Sequence, residues 1–319
     1  MTNTTHEIPR SGLGILFPGQ GSQSVGMLAE LAQSFPQVRA TYEEASTALG
    51  YDLWRLVQDG PDSELDRTEH TQPAMLAAGV AVWRVWRAER GPLPMVMAGH
   101  SLGEYSALVC AGALDFAATV TLVADRGRYM QEAVSEGEGA MAAILGLADA
   151  EVVAACNTAS EGEVVMAANF NAPGQVVVAG QRAAVLRAVE VAKAAGAKAR
   201  MLPMSVPSHC SLMVGAAQRL RARLDTLAMA CPQIPVINNV DVADPTDGVA
   251  IRDALVRQLS SPVRWVECVR AQKDRGVQTV VELGPGKVLA GLNKRIDKGL
   301  ENRSVFDTAS LHQALEALV

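Results

Sequence analysis

The stretch Pro94-Met-Val-Met-Ala-Gly-His-Ser-Leu-Gly-Glu-Tyr-Ser-Ala-Leu108 decides the fold of this chain. Residues 95–98 are a short apolar run that predicts a buried strand, and the residues after Gly103 predict the start of a helix. Between them lies Ser101, with Gly99 and Gly103 close on either side. A serine in such a strand–turn–helix is typical of a nucleophile elbow, where close packing leaves room only for glycine. The alternative interpretation is a glycine-rich turn whose serine only caps the helix.

An elbow exposes its serine hydroxyl at the carboxyl end of a sheet. The amide of Leu102 then faces the same space at a helix N-terminus, where it can stabilise an oxyanion. A first strand over residues 12–17 leads into Pro18-Gly-Gln-Gly-Ser-Gln23, which offers backbone donors around Gln20 at the same sheet edge. Its glycine spacing does not match a dinucleotide-binding loop, so we predict no nucleotide there. A simple tight turn is the alternative.

The composition restricts the class of protein. Hydrophobic residues make up 49% of the 319 residues and aromatic residues only 4%, which favours a large α/β core. The net charge of −6 and the lack of a basic tract argue against nucleic-acid binding. Five dispersed cysteines predict free thiols in a reducing compartment and no metal site. No apolar run approaches a membrane span, and residues 1–11 are polar, so we expect a disordered tail, no membrane association and a cytoplasmic protein.

The order of predicted elements divides the chain. Residues 138–204 read β-α-β-β-α-β, the order of a small ferredoxin-like subdomain. Residues 12–137 and 205–319 flank it and predict one discontinuous catalytic domain of the α/β class, with an α/β-hydrolase-like core and a parallel sheet. The sequence therefore predicts an α/β fold that carries an inserted subdomain.

Arg126 has an unusual position on a predicted helix. Its neighbours three and four residues away are mostly apolar, whereas those of Arg128 are mostly polar, so Arg126 should point into the protein. A buried guanidinium needs an anionic partner. That partner is either an internal aspartate or glutamate, or a substrate carboxylate held by two parallel hydrogen bonds.

A serine nucleophile also needs a base, and His70 and His209 are the candidates. A helix predicted to begin at His209 would favour the neutral ring through its dipole, and a histidine late in the chain fits the order of α/β hydrolases. The acid of a triad is harder to assign, because Asp241, Asp244 and Asp253 lie in no acid-specific motif. A serine–histidine dyad oriented by a backbone carbonyl is equally compatible with the sequence.

Six segments, in this order and spacing, carry a resemblance to one family. They are Phe17-Pro-Gly-Gln-Gly-Ser-Gln23, Gly99-His-Ser-Leu-Gly-Glu-Tyr-Ser-Ala-Leu108, Arg126-Gly-Arg-Tyr-Met-Gln131, Asn169-Phe-Asn-Ala-Pro-Gly-Gln175, Pro207-Ser-His209 and Glu282-Leu-Gly-Pro-Gly286. The chain resembles the malonyl-CoA:acyl-carrier-protein transacylases of bacterial fatty-acid synthesis from about residue 12 to about residue 296. That family combines an α/β-hydrolase-like domain with a ferredoxin-like subdomain.

The resemblance implies the following reaction. Ser101 would accept malonyl from malonyl-CoA and pass it to the phosphopantetheine thiol of acyl carrier protein, a ping-pong transfer. His209 would act as general base and then as general acid. The main-chain carbonyl of Gln258 would orient that histidine, so the dyad would need no carboxylate.

The resemblance also implies how the acyl group is held. Backbone amides of Gln20 and Leu102 would form the oxyanion hole, and Arg126 would bind the malonyl carboxylate. The CoA thioester is a substrate, so we expect no resident cofactor, and we expect a monomer. A basic patch for the acidic carrier is expected, with Lys287, Lys294 and Arg295 as candidates.

Other functions share these motifs. A related transacylase could serve a polyketide or malonate decarboxylase carrier protein. A thioesterase-type serine hydrolase would release free malonate whether or not a carrier is present. A non-catalytic module that binds carrier proteins is disfavoured by the intact Ser101 and His209.

Overall fold

The computed structural model describes residues 8–204 and 206–318, and a five-stranded parallel sheet forms its centre. In spatial order the strands are β7 (Val236–Ile237), β2 (Pro94–Gly99), β1 (Arg10–Phe17), β8 (Thr279–Leu283) and β9 (Glu301–Val305). β1 begins two residues earlier than predicted. Of the predicted tail, residues 1–7 lie outside the described residues.

Helices pack on both sides of this sheet, and two more pack on a small second sheet that is described below. They are α1 (Ala29–Ser34), α2 (Pro36–Leu49), α3 (Leu53–Asp59), α4 (Asp62–Leu65), α5 (Thr68–Ala88), α6 (Leu102–Cys110), α7 (Phe116–Glu132), α8 (Asp149–Ser160), α9 (Arg182–Ala194), α10 (Val214–Leu224), α11 (Gly248–Gln258), α12 (Trp265–Asp274), α13 (Val288–Ile296) and α14 (Thr308–Glu316). α5 is buried along most of its length, because apolar side chains surround it.

The second sheet is antiparallel and small. Its strands stand in the order β4 (Val165–Ala172), β5 (Gln175–Gln181), β3 (Gly139–Leu145) and β6 (Lys198–Met201), with α8 and α9 packed on one face. The predicted α/β fold, with a parallel sheet and a separate βαββαβ unit, is confirmed.

The two faces of the small sheet have different neighbours. Because side chains alternate along a strand, Ile144 and Val178 pack with α8 and α9, whereas Met141 and Val177 lie on the opposite face in a cluster with Cys210. That opposite face therefore turns towards the loop that follows the small subdomain. The small sheet thus forms one wall above the end of the parallel sheet.

Gly99 and Gly103 permit a very close approach of backbones at the turn between β2 and α6. A Cβ added to Gly99 would lie 1.8 Å from the carbonyl carbon of Gly103. A Cβ added to Gly103 would lie 2.1 Å from the carbonyl oxygen of Phe17, at the end of β1. Both glycines are thus required for the turn to close against the central strand.

Replacing Gly103 with alanine is expected to destabilise the protein by about 3 kcal/mol or more, because the methyl group would collide with backbone that cannot move aside. Gly291 is the matched control, since it lies inside α13 and a Cβ there would meet nothing within 4 Å. Gly291→Ala should stabilise the protein by roughly 0.5–1 kcal/mol. Urea unfolding followed by circular dichroism measures both. Equal stability of the two variants would contradict the close packing.

Candidate active site

Ser101 lies at the predicted turn, with an unusual backbone conformation. Its φ of 51° and ψ of −105° belong to a strained region for a residue with a side chain. Asn239, which follows β7, holds the turn from the side. Its Oδ1 accepts a hydrogen bond from the Ser101 amide at 2.7 Å, and its Nδ2 donates to the Gly99 carbonyl at 2.8 Å. No local motif points to Asn239, because its contact with Ser101 spans 138 positions.

The predicted dyad is assembled. Ser101 Oγ lies 2.7 Å from His209 Nε2, and His209 Nδ1 lies 2.8 Å from the main-chain oxygen of Gln258. A carbonyl oxygen can only accept, so Nδ1 carries the proton and donates it. Nε2 is then left with its lone pair towards the serine hydroxyl, which is the tautomer a general base requires.

The three aspartates considered for a triad lie elsewhere. Asp241 and Asp253 both pair with Arg257, and Asp244 pairs with Arg275. All three ion pairs are at the surface, and none of these carboxylates contacts His209. The triad alternative is therefore wrong for these residues, and the carbonyl-oriented dyad is the arrangement observed.

The prediction that a helix begins at His209 is wrong. His209 lies in a loop with a φ of 63°, and a short 3₁₀ helix begins only at Ser211. The ring is neutral for other reasons. Burial, followed by the nearby positive charge of Arg126, lowers the pKa of His209 to about 3. His70, the other candidate base, is half-buried with Nδ1 against the Glu64 carbonyl, away from the serine.

Arg126 is buried, as predicted, with 1% of its surface exposed. Nη1 donates to Gln72 Oε1 at 2.7 Å, and Nη2 donates to Gln258 Oε1 at 3.0 Å and to Ser101 Oγ at 3.3 Å. Within the described part of the chain, no carboxylate lies at ion-pair distance from it. The internal salt-bridge alternative is therefore wrong, and the amide oxygens of two glutamines orient this cation without cancelling its charge.

A cavity of about 150 Å³ opens beside the serine. Cavities of that size accept a molecule as small as benzene, so a short acyl group fits. Gln20 and Leu102 both line it. Leu102 begins α6, and the loop carrying Gln20 packs so tightly that a Cβ on Gly19 would lie 2.4 Å from the His100 carbonyl oxygen. Both residues predicted to form the oxyanion hole thus border the cavity.

The wall opposite the elbow comes largely from the small subdomain. His100 Nε2 lies 2.8 Å from Asn171 Oδ1, which links the elbow to β4. Burial lowers the pKa of His100, so this ring is neutral too. His100 is not among the candidate bases named from the sequence, yet it lines the same cavity. The remaining lining residues are mainly apolar: Met130, Met141, Val177, Leu202 and Met204.

The described residues offer neither a metal site nor a membrane-spanning helix. No group of three or more histidine, cysteine, aspartate or glutamate side chains in residues 8–204 and 206–318 could hold a metal ion. No helix in that part of the chain is long and apolar enough to cross a membrane. The five cysteines are free thiols, as predicted.

A buried neutral histidine, a strained serine and a buried arginine beside it are the features of an acyl-transfer site. Known proteins similar to this chain belong to the same class. The sequence model of the acyl transferase domain family matches residues 15–311, and the chain belongs to that family. The chain is 58% identical to the malonyl CoA-acyl carrier protein transacylase of Haemophilus influenzae over 308 residues, covering 96% of this chain and 98% of the relative. The corresponding protein of Salmonella typhimurium is 56% identical over 301 residues, with coverage of 94% and 97%.

Solved structures give the same result. An acyl carrier protein S-malonyltransferase from Vibrio cholerae is 58% identical with a TM-score of 0.93, covering 95% of this chain and 100% of that one. A malonyl-transacylase in complex with a type II PKS acyl-carrier protein is 55% identical with a TM-score of 0.95, covering 96% and 100%. The resemblance inferred from the sequence motifs is confirmed.

Proposed function

We propose that this chain transfers the malonyl group from malonyl-CoA to the phosphopantetheine thiol of an acyl carrier protein, for fatty-acid chain elongation. The observation that carries the proposal is Arg126, a buried cation without a carboxylate partner in the described residues, 3.3 Å from Ser101 Oγ. Malonyl differs from acetyl by a terminal carboxylate, which is the anion such a site lacks. The names of the relatives support the same transfer.

In the first half-reaction, Ser101 Oγ attacks the thioester carbonyl while His209 Nε2 accepts the hydroxyl proton. The bound tetrahedral oxyanion receives hydrogen bonds from the backbone amides of Gln20 and Leu102. The Gln258 carbonyl stabilises the protonated imidazole through Nδ1. When the C–S bond breaks, His209 returns the proton to the CoA sulfur, and a malonyl ester remains on Ser101.

The second half-reaction runs in reverse with a new thiol. His209 takes the proton of the phosphopantetheine thiol, whose sulfur attacks the malonyl ester, and then returns that proton to Ser101 Oγ. No resident cofactor is needed in this scheme, because the thioester bond is already activated. We also propose that the protein works as a monomer in the cytoplasm.

The carrier protein is expected to dock through acidic side chains. Lys287, Lys294 and Arg295 are all exposed, but they lie at opposite ends of α13, roughly 10 Å apart along its axis. Arg295 already contacts Gln175 and the Pro173 carbonyl oxygen. We retain these three residues as docking candidates. A polyketide carrier is the second candidate partner, because one relative was solved with a type II PKS acyl-carrier protein.

Incubation with labelled malonyl-CoA is expected to place one malonyl ester on Ser101. Peptide mapping by mass spectrometry locates the adduct, and Ser101→Ala should carry none. Addition of holo acyl carrier protein should then move the label to its phosphopantetheine thiol. Label on another residue would contradict the mechanism. Release of free malonate at a rate that the carrier does not change would indicate a thioesterase.

A further inference from the structure

A buried glutamate, Glu104, lies one helical turn after the nucleophile and has no role in the mechanism above. Only 2% of its surface is exposed. Its Oε2 accepts hydrogen bonds from the main-chain N–H of Asn239 at 2.9 Å and from Gln258 Nε2 at 2.8 Å. No lysine, arginine or histidine of the described residues lies at ion-pair distance. Burying a carboxylate without such a partner is costly, so mere space-filling does not account for it.

The position of Glu104 determines which way the Gln258 side chain faces. A glutamine amide has a donor end and an acceptor end, whereas Glu104 Oε2 already accepts from the Asn239 main-chain N–H and so faces Gln258 as an acceptor. Glu104 can therefore bind only the Nε2 end, which also donates to the Ser101 carbonyl at 3.1 Å. The Oε1 end is then directed to Arg126 Nη2 at 3.0 Å. A flipped amide would place Gln258 Oε1 against Glu104 Oε2, which are two acceptors. It would also place Gln258 Nε2 against Arg126 Nη2, which are two donors.

The contacts from Glu104 through the Gln258 amide to Arg126 keep the Arg126 guanidinium oriented but charged. Gln258 Oε1 and Gln72 Oε1 are neutral acceptors, so they fix the direction of Arg126 without forming an ion pair. A carboxylate in direct contact with Arg126 would compete with the carboxylate of an incoming acyl group. Glu104 is separated from Arg126 by the Gln258 amide, and it acts on the cation through that amide.

We propose that Glu104 is a positioning residue that orients the Gln258 amide, and thereby Arg126, for recognition of acyl groups that carry a carboxylate. The proposal rests on the proposed function, since it assigns a source for malonyl selectivity. It predicts that loss of Glu104 reduces selectivity for malonyl over acetyl, in addition to any effect on the overall rate.

The test measures acylation of Ser101 by malonyl-CoA and by acetyl-CoA in the full-length protein. Glu104→Gln keeps the size of the side chain but adds a donor, so both orientations of Gln258 become possible. The malonyl-to-acetyl ratio of kcat/KM should fall about tenfold, the factor expected for one hydrogen bond to a charged group. An equal slowing of both acyl groups would overturn the proposal, because a purely structural residue would have that effect.

Glu282→Gln is the matched control. Glu282 is equally buried, but its carboxylate accepts from the amides of Leu289 and Ala290 at the start of α13. Its ratio should stay within about twofold of the wild type, whatever happens to its melting temperature. A comparable loss of selectivity in this variant would overturn the proposal.

A double-mutant cycle tests the route through Gln258. Gln258→Leu removes the amide but keeps the carbonyl that orients His209, and it should lower the ratio by itself. Adding Glu104→Gln should then lower it no further. An unchanged ratio in Gln258→Leu, or full additivity, would overturn the proposal even where Glu104 variants fold poorly. A folded wild type without malonyl preference would instead overturn the proposed function as well.

Discussion

Replacing His209 with alanine is expected to slow acylation of Ser101 by about 10⁴-fold, in the range seen when a general base is removed. The serine hydroxyl would then have no acceptor for its proton, since Nε2 is the group 2.7 Å from Oγ. Single-turnover labelling with malonyl-CoA measures the rate. His312→Ala, at an exposed position on α14, is the control and should change the rate by less than about twofold. Comparable losses in both variants would contradict the role of His209.

The protonation state of His209 gives a second result. Because the pKa of His209 is lowered to about 3, the ring should stay neutral as the pH falls from about 8 to about 5. Nitrogen chemical shifts of the imidazole measure this directly. In the unfolded chain His209 has an ordinary pKa near 6.5, so below that pH it binds a proton that it does not bind in the folded state. The stability contributed by the neutral ring is therefore present above about pH 6.5 and is lost as the pH falls towards about 3. His209→Gln should show a shallower loss.

Local patterns were sufficient for most of the fold. The apolar run before Ser101 and the glycines around it predict the elbow, since the turn has steric demands that only a few sequences meet. The βαββαβ order is visible because each element alternates its apolar residues with the proper period. Burial of Arg126 follows from helical spacing alone, which fixes the neighbours of a residue on its helix.

The partners of the site residues could not be predicted in this way. Gln72 reaches Arg126 from a helix 54 positions away, and Asn239 reaches Ser101 across 138. No local pattern encodes such contacts, because they depend on how whole elements pack. The role of Gln258 was implied only by family resemblance. A helix starting at His209 was predicted because Ser208 resembles an N-cap residue. The prediction was wrong because His209 itself has a positive φ, which an α-helix does not allow.

Replacing Arg126 with alanine is expected to reduce malonyl transfer by about 10²- to 10³-fold, as for the loss of a buried charged hydrogen-bonding partner. Acetyl transfer should be kept or increased. Acetyl has no carboxylate to lose contact with, and the positive charge that lowers the pKa of His209 would be gone, which strengthens the base. Steady-state kcat/KM for malonyl-CoA and acetyl-CoA measures both effects in one enzyme preparation.

Arg128→Ala is the matched control for this prediction. Arg128 lies two residues away on α7 and pairs with Asp125 at the surface, so its removal should leave both rates within about twofold. Substitution by lysine at position 126 should restore part of the malonyl activity, since a single ammonium keeps the charge but cannot form two parallel hydrogen bonds. An equal loss of malonyl and acetyl transfer in Arg126→Ala would mean that the cation supports the serine itself. Selectivity would then have to come from the shape of the cavity.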